Sequence, residues 1–180
     1  MPVRIRRADA GDTVAIATVY VRSWQGAYPS LIPQSYLDAL RPEDRVATVR
    51  QSLDETAWPR RGTFVLLGPS DDGEDGPITG FVSIGPSRDE DVDADVVGEI
   101  LTIYLDPDVF GTGGGSLLLY GALDELRRGG FTVATLWVLG TNARARRFYE
   151  RHGLRPDGTT KLHDWGAFVA TDHRYVIDLT

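Results

Sequence analysis

From Val3 to Arg7 apolar and basic residues alternate, a period of two that predicts a short first strand. Asp9 or Asp12 can cap the helix that follows, because a short carboxylate accepts hydrogen bonds from the free N–H groups of a first turn. In that helix Ile16, Val19, Tyr20 and Trp24 recur at helical spacing and form one apolar face. The aromatic run WQGAYPSLIP then reads as a connection between helices that either packs into the core or lines a pocket. A short helix is expected from Pro33 to Leu40. Another starts at Pro42, with Val46, Val49 and Leu53 as its buried stripe. Thr63 to Leu67 and Ile78 to Ile84 are apolar strands. They are joined by Pro69 to Pro77, whose turn formers and acids make a solvated hairpin loop.

A second acidic loop, Arg88 to Asp95, leads into the stretch around which the chain is organised, Gly98 to Leu119. It reads as a buried strand, a turn at Asp106-Pro107, a glycine-rich loop and the first turns of a helix. From Gly111 to Ser116 every residue is glycine, threonine or serine. Such a loop lets backbone N–H groups approach a ligand, and the helix it opens directs its positive dipole end there, which suits an anion such as a pyrophosphate. Leu119, Ala122, Leu123 and Leu126 mark the core face of this helix, which ends at Gly129-Gly130. Thr132 to Leu139 is a nearly continuous apolar strand. Asn142 caps a helix whose Ala145, Phe148 and Tyr149 share a face, and Gly153 stops it. Pro156-Asp157-Gly158 reads as a turn, and Arg174 to Leu179 alternate as a last strand. The order is one strand, three helices, three strands, then helix, strand, helix and two strands. That is one mixed α/β domain over residues 1–180.

Composition narrows the chemistry. The chain has 180 residues, no cysteine, three histidines and a formal charge of −7. Disulfides, cysteine-ligated zinc and a thiol nucleophile are excluded, and His152, His163 and His173 do not pair at ligand spacing, so no metal site is expected. The acidity argues against nucleic acid as a partner; it could draw a cationic substrate, although solubility explains it equally. No run is long and apolar enough to span a bilayer, and the first residues lack an apolar signal core, so a cytoplasmic protein without membrane contact is expected.

Three anion sites were weighed for the glycine loop. A Walker-type loop needs a lysine where Ser116 stands, and the only lysine is Lys161. A dinucleotide fingerprint needs a third glycine where Leu118 stands, and an acid at the end of the next strand, which has none. The third fits. Phe110-Gly111-Thr112-Gly113-Gly114-Gly115 resembles the acetyl-CoA motif Q/R-x-x-G-x-G/A of the GNAT N-acetyltransferases, with Phe110 in the place of the leading polar residue. Asn142 to Leu154 is similar to the same family's N-x-x-A-x-x-F-Y-E-x-x-G-F/L signature.

The resemblance implies a single GNAT-like α/β domain, with a mixed sheet of about seven strands flanked by helices and the fourth and fifth strands splayed. It implies acetyl-CoA as donor, with backbone groups of Ile103, Tyr104 and Leu105 pairing with the pantetheine arm. N–H groups from Gly111, Thr112, Gly113, Gly114, Gly115 and Ser116 would receive the pyrophosphate, and Asn142 would touch the pantetheine arm as well as cap its helix. Acetyl transfer needs a neutral amine, a stabilised oxyanion and a proton for the leaving thiolate. Tyr149 resembles the tyrosine that serves the departing sulfur, against the alternative of a core tyrosine. Glu99 resembles the carboxylate that acts as general base, often through water, against the alternative of an ion-paired or edge glutamate. Arg144, Arg147 and Arg151 form a basic helix face, either solvated or facing phosphates. Trp24 and Tyr28 stand where the family covers its acceptor site, and His163 and His173 read as isolated structural residues. The resulting expectation is acetyl transfer to a primary amine of a small molecule or peptide by direct attack in a ternary complex, with a homodimer possible in this family. The alternative is a non-catalytic acyl-CoA-binding regulatory module of the same fold.

Overall fold

Seven strands form one sheet: β1 (Arg4–Arg7), β2 (Gly62–Leu67), β3 (Ile78–Pro86), β4 (Val97–Leu105), β5 (Val133–Leu139), β6 (Arg155–Asp164) and β7 (Val169–Asp178). Their order in space is β1-β2-β3-β4-β5-β7-β6, in a computed structural model that describes residues 3–70 and 75–180. Every neighbouring pair is antiparallel except β4 and β5. The helices are α1 (Thr13–Ala27), α2 (Gln34–Ala39), α3 (Glu43–Asp54), α4 (Gly114–Arg128) and α5 (Ala143–Arg151). Among the described residues no helix is long and apolar enough to cross a membrane.

Strand β2 explains the layering. Phe64 and Leu66 point to one face, where they meet the α4 residues Leu118, Leu119 and Ala122; Val65 and Leu67 point to the other and meet Ile16 and Val19 of α1. A strand covered on both sides needs apolar residues at every position, which is why GTFVLL does not alternate. Residues 71–74 of the acidic hairpin loop lie outside the described residues.

Most predicted elements stand where their periodicity put them, with four differences. Helix α1 runs through Ala27, so Gln25, Gly26 and Ala27, expected in the connection, belong to its last turn with Trp24. Val46, Val49 and Leu53 are half-buried, not buried, because α3 packs on the rim of the α1 layer. The segment read as a turn at Pro156-Asp157-Gly158 lies inside β6, where the pairing with β7 is irregular between Pro156 and Thr160. There Gly158 takes φ +92° and Asp157 accepts from Thr159 N at 2.8 Å, so the strand bends and resumes. The last strand accordingly starts at Val169.

Parallel pairing of β4 with β5 covers only Val97–Val133, Gly98–Ala134 and Glu99–Thr135. Beyond it the strands part. The cause is local: against β3, Ile100 pairs with Ile84 and Thr102 with Ser83, leaving Leu101 as an extra residue. A bulge bends its strand, and this one comes two residues after the last β5 partner.

Candidate active site

The parting strands open a cavity of about 490 Å³. Ile100 to Leu105 of β4 and Leu136 to Leu139 of β5 form its sides, so the predicted positions Ile103, Tyr104 and Leu105 all border it. On the β5 side those β4 residues have no strand partner, so their backbone groups are free to pair with an extended ligand.

Helix α4 closes one end. Gly113 is its N-cap at φ +92°, and no side chain caps the helix. The first intrahelical bond runs from Leu117 N to Gly113 O, so the N–H groups of Gly114, Gly115 and Ser116 have no carbonyl before them. Gly111 also has positive φ, +80°, and a Cβ at either Gly111 or Gly113 would meet nothing within 4 Å. The glycines there answer the backbone conformation and leave space open to a ligand. Gly111, Gly113, Gly115 and Ser116 line the cavity, whereas Thr112 and Gly114 do not. Thr112 turns its hydroxyl to Val109 O at 2.8 Å, and Gly114 is a packing residue: a Cβ on it would come within 2.5 Å of Leu66.

Helix α5 supplies the third wall. Asn142 accepts from Ala145 N at 3.0 Å through Oδ1, which leaves its amide nitrogen for the cavity that it lines. Tyr149 sits about two turns further along the same wall, 8% exposed, and burial pushes its phenol well above the ordinary tyrosine value. Of the basic face, Arg144 and Arg151 border the cavity and Arg147 does not. The Arg144 guanidinium lies 3.9 Å above the Phe110 ring. The position where the family motif prefers a polar side chain thus carries an aromatic seat for a cation brought from α5. Sequence reading missed this pair, and also missed His152, whose Nδ1 donates to Phe148 O and whose Nε2 is bonded to Ser116 Oγ, each at 2.8 Å.

A second cavity, about 230 Å³, shares Tyr28, Leu101, Thr102, Tyr104, Trp137 and Leu139 with the first. Both predicted acceptor-side residues, Trp24 and Tyr28, line it, as does Glu99. Trp24 packs between Tyr20, Tyr28 and Trp165. Glu99 is 1% exposed, and a carboxylate that deep would be costly alone. It is not alone: Oε2 accepts from Arg88 N at 3.0 Å and Nε at 3.3 Å, and Oε1 accepts from Arg88 Nη2 at 2.7 Å. The ion-paired alternative therefore describes its surroundings, with one lone pair on Oε1 still open. His163 is not isolated, because its Nδ1 meets Asp172 Oδ2 at 3.3 Å and its ring stacks on Trp165. Both His163 and Asp172 border the second cavity. Asp172 lies diagonally across β7 from His163, a contact visible only with the β6–β7 register. Among the described residues no group of three or more His, Asp or Glu could hold a metal ion.

The model of the acetyltransferase (GNAT) family matches residues 24–154. The chain belongs to that family. A Bacillus subtilis (strain 168) protein, uncharacterized N-acetyltransferase YuaI, is 33% identical over 140 residues, 78% of this chain and 73% of that one. An uncharacterized N-acetyltransferase of Archaeoglobus fulgidus is 31% identical over 85% of this chain and 93% of its own. The crystal structure of PaiA N-acetyltransferase from Thermoplasma acidophilum, in complex with coenzyme A, superposes with a TM-score of 0.71 at 18% identity and covers 99% of both chains. That last likeness is one of fold.

Proposed function

We propose that this GNAT protein transfers the acetyl group of acetyl-CoA to a primary amine of a small molecule, by direct attack in a ternary complex, in the cytoplasm. The observation that carries the reading is the splay: a strand edge without a partner runs straight to a helix N-terminus without a cap. The residues fit the donor. β4 offers amides and carbonyls to an extended arm, Gly115 and Ser116 offer N–H groups to phosphate oxygens, and Arg144 and Arg151 add positive charge at the mouth. Acetyl-CoA supplies an activated thioester, and the protein's part is to hold and polarise it.

Tyr149 retains its proton at neutral pH because burial disfavours the phenolate, so it acts as a hydrogen-bond donor at the thioester end of the cavity. Glu99, ion-paired with Arg88, offers its open lone pair to a water that relays the amine's proton to it. Without a cysteine the chain forms no thiol acyl-enzyme, so both substrates are present together. The test is amine-dependent release of free CoA thiol from acetyl-CoA across a panel of small amines. Release with intersecting double-reciprocal plots is expected. Binding of acetyl-CoA with no release by any amine would replace this reading with that of a non-catalytic acyl-CoA-binding module.

A further inference from the structure

The charged groups on the wall of the second cavity are unevenly partnered. Glu99 is held by Arg88 and Asp172 by His163, so both carboxylates there are engaged. Lys161, which borders the same cavity, has no carboxylate within ion-pair distance among the described residues. Its register partner across β7 is Asp172, yet the two do not pair. Asp172 turns to His163 at 3.3 Å, and Lys161 lays its Nζ 3.9 Å over the Trp137 ring. A ring face attracts an ammonium but accepts few of its hydrogen bonds, so Nζ keeps donors for a ligand.

Two further polar groups point the same way. Trp24, 3% exposed, has an Nε1 without a hydrogen-bond partner; it faces the Tyr104 hydroxyl without reaching hydrogen-bond geometry. Thr102 Oγ1 is buried and unpartnered as well. A cavity wall with an unpaired ammonium and unpaired donors suits an anion with lone pairs to give. The aromatic walls alone would suit a cation equally, but among the described residues the charged group on this wall without a hydrogen-bond partner is the Lys161 ammonium. Against a chain charge of −7, an anion is held only where such a local cation exists. The volume, about 230 Å³, lies below the about 300 Å³ at which pockets for larger ligands begin, so the guest is small.

We infer that the acceptor is a primary amine carrying a carboxylate on a compact apolar or aromatic body, an amino-acid-like molecule, and that Lys161 binds the carboxylate. The body lies along Trp24, Trp165 and Phe168, and the amine points to the wall shared with the larger cavity. This rests on the acetyl-transfer reading above.

The experiment has a turnover arm and a binding arm. Turnover compares L-phenylalanine with L-phenylalaninamide and phenethylamine, which share the body and the amine. The binding arm uses calorimetry of 3-phenylpropionate, which has the carboxylate but no amine, on the CoA-loaded protein. The wild type should show kcat/KM about tenfold or more higher for the carboxylated amine, and should bind 3-phenylpropionate. Lys161→Met, which keeps the stem over Trp137, should remove both the preference and the binding, and Lys161→Arg should restore them in part. Equal or better turnover of the amide and phenethylamine by the wild type overturns the inference while leaving acetyl transfer intact. So does 3-phenylpropionate binding that Lys161→Met does not weaken, or no binding at all. Carboxylate binding that depends on Lys161, without turnover of any amine, supports the anion subsite and counts against the transferase reading.

Discussion

Burial limits what the Tyr149 phenol can do. Its proton is held tightly because the phenolate would lie in a desolvated wall, so it can donate and cannot act as a base near neutral pH. Tyr149→Phe keeps the packing against Phe148 and Tyr175 and removes only the donor. We expect kcat to fall by about tenfold to hundredfold with the acetyl-CoA dissociation constant unchanged. Equal loss in both would mean that the hydroxyl serves binding. Gly113→Val tests the loop. At φ +92° a β-branched residue is strained by about 1–3 kcal/mol, and its side chain enters space left open to the ligand. Acetyl-CoA should bind about tenfold or more weakly by calorimetry; unchanged affinity would remove the loop from the site. The glycines at 111 and 113, Asn142 and Tyr149 were legible in the sequence because each answers a local demand, a positive φ, a helix cap or a place in a signature. Arg88 on Glu99 and Arg144 on Phe110 were not. Nothing in the spacing of those residues says that the two side chains meet; packing of separate elements brings them together.

Helix α5 carries Tyr149 near its end and Asn142 at its start, so its stability and the site's geometry are coupled. Asn142→Ala should lower unfolding free energy by about 1 kcal/mol through loss of the bond to Ala145 N. If Asn142 also binds the donor, the rise in Tm on adding acetyl-CoA should shrink as well, because ligand stabilisation tracks affinity. A lower Tm with an undiminished acetyl-CoA increment would confine Asn142 to the cap. Helices were the more legible elements, since the period of Leu119, Ala122, Leu123 and Leu126 is visible without tertiary structure. Strand β6 was not. Pro156 and Gly158 carry turn chemistry, and the Arg174 bonds to Asp157, 2.7 Å, and Thr159 Oγ1, 3.0 Å, help to tie that irregular stretch into the sheet.

For the whole molecule, ion pairs and buried phenols set opposite limits on the pH range of stability. Arg6 holds the Asp12 carboxyl below its ordinary value, and Arg22 does the same for Asp106. A carboxylate depressed in the folded state contributes stability that is present above the unfolded value, about pH 4, and is lost as pH falls through the folded one. Burial raises the phenols of Tyr20, Tyr28, Tyr104 and Tyr149, so their contribution is present below about pH 10 and is lost above it, where the unfolded chain ionises first. Urea midpoints should therefore be flat through neutrality and fall below about pH 4 and above about pH 10. Tyrosinate absorbance from these four phenols should rise together with loss of circular dichroism, and their ionisation well ahead of unfolding would contradict the buried positions. At this scale the mixed α/β class was legible from the order of elements. The splay was legible only through family resemblance, because a one-residue misfit between β3 and β4 leaves no mark on the hydrophobic pattern.

That misfit changes the arithmetic of the strand. Side chains on a regular strand alternate, so residues five apart, such as Glu99 and Tyr104, fall on opposite sides. Here both border the second cavity, as do Leu101 and Thr102, which are adjacent in sequence. The single unpaired residue switches the strand from odd to even positions midway. One continuous strand thereby brings a carboxylate and a phenol ring to the same room while its backbone edge serves the next. Deleting Leu101 would leave Glu99 and Tyr104 four positions apart on a regular strand, still on one side, so the extra residue bends the edge away from β5 without changing the side that Tyr104 shares with Glu99.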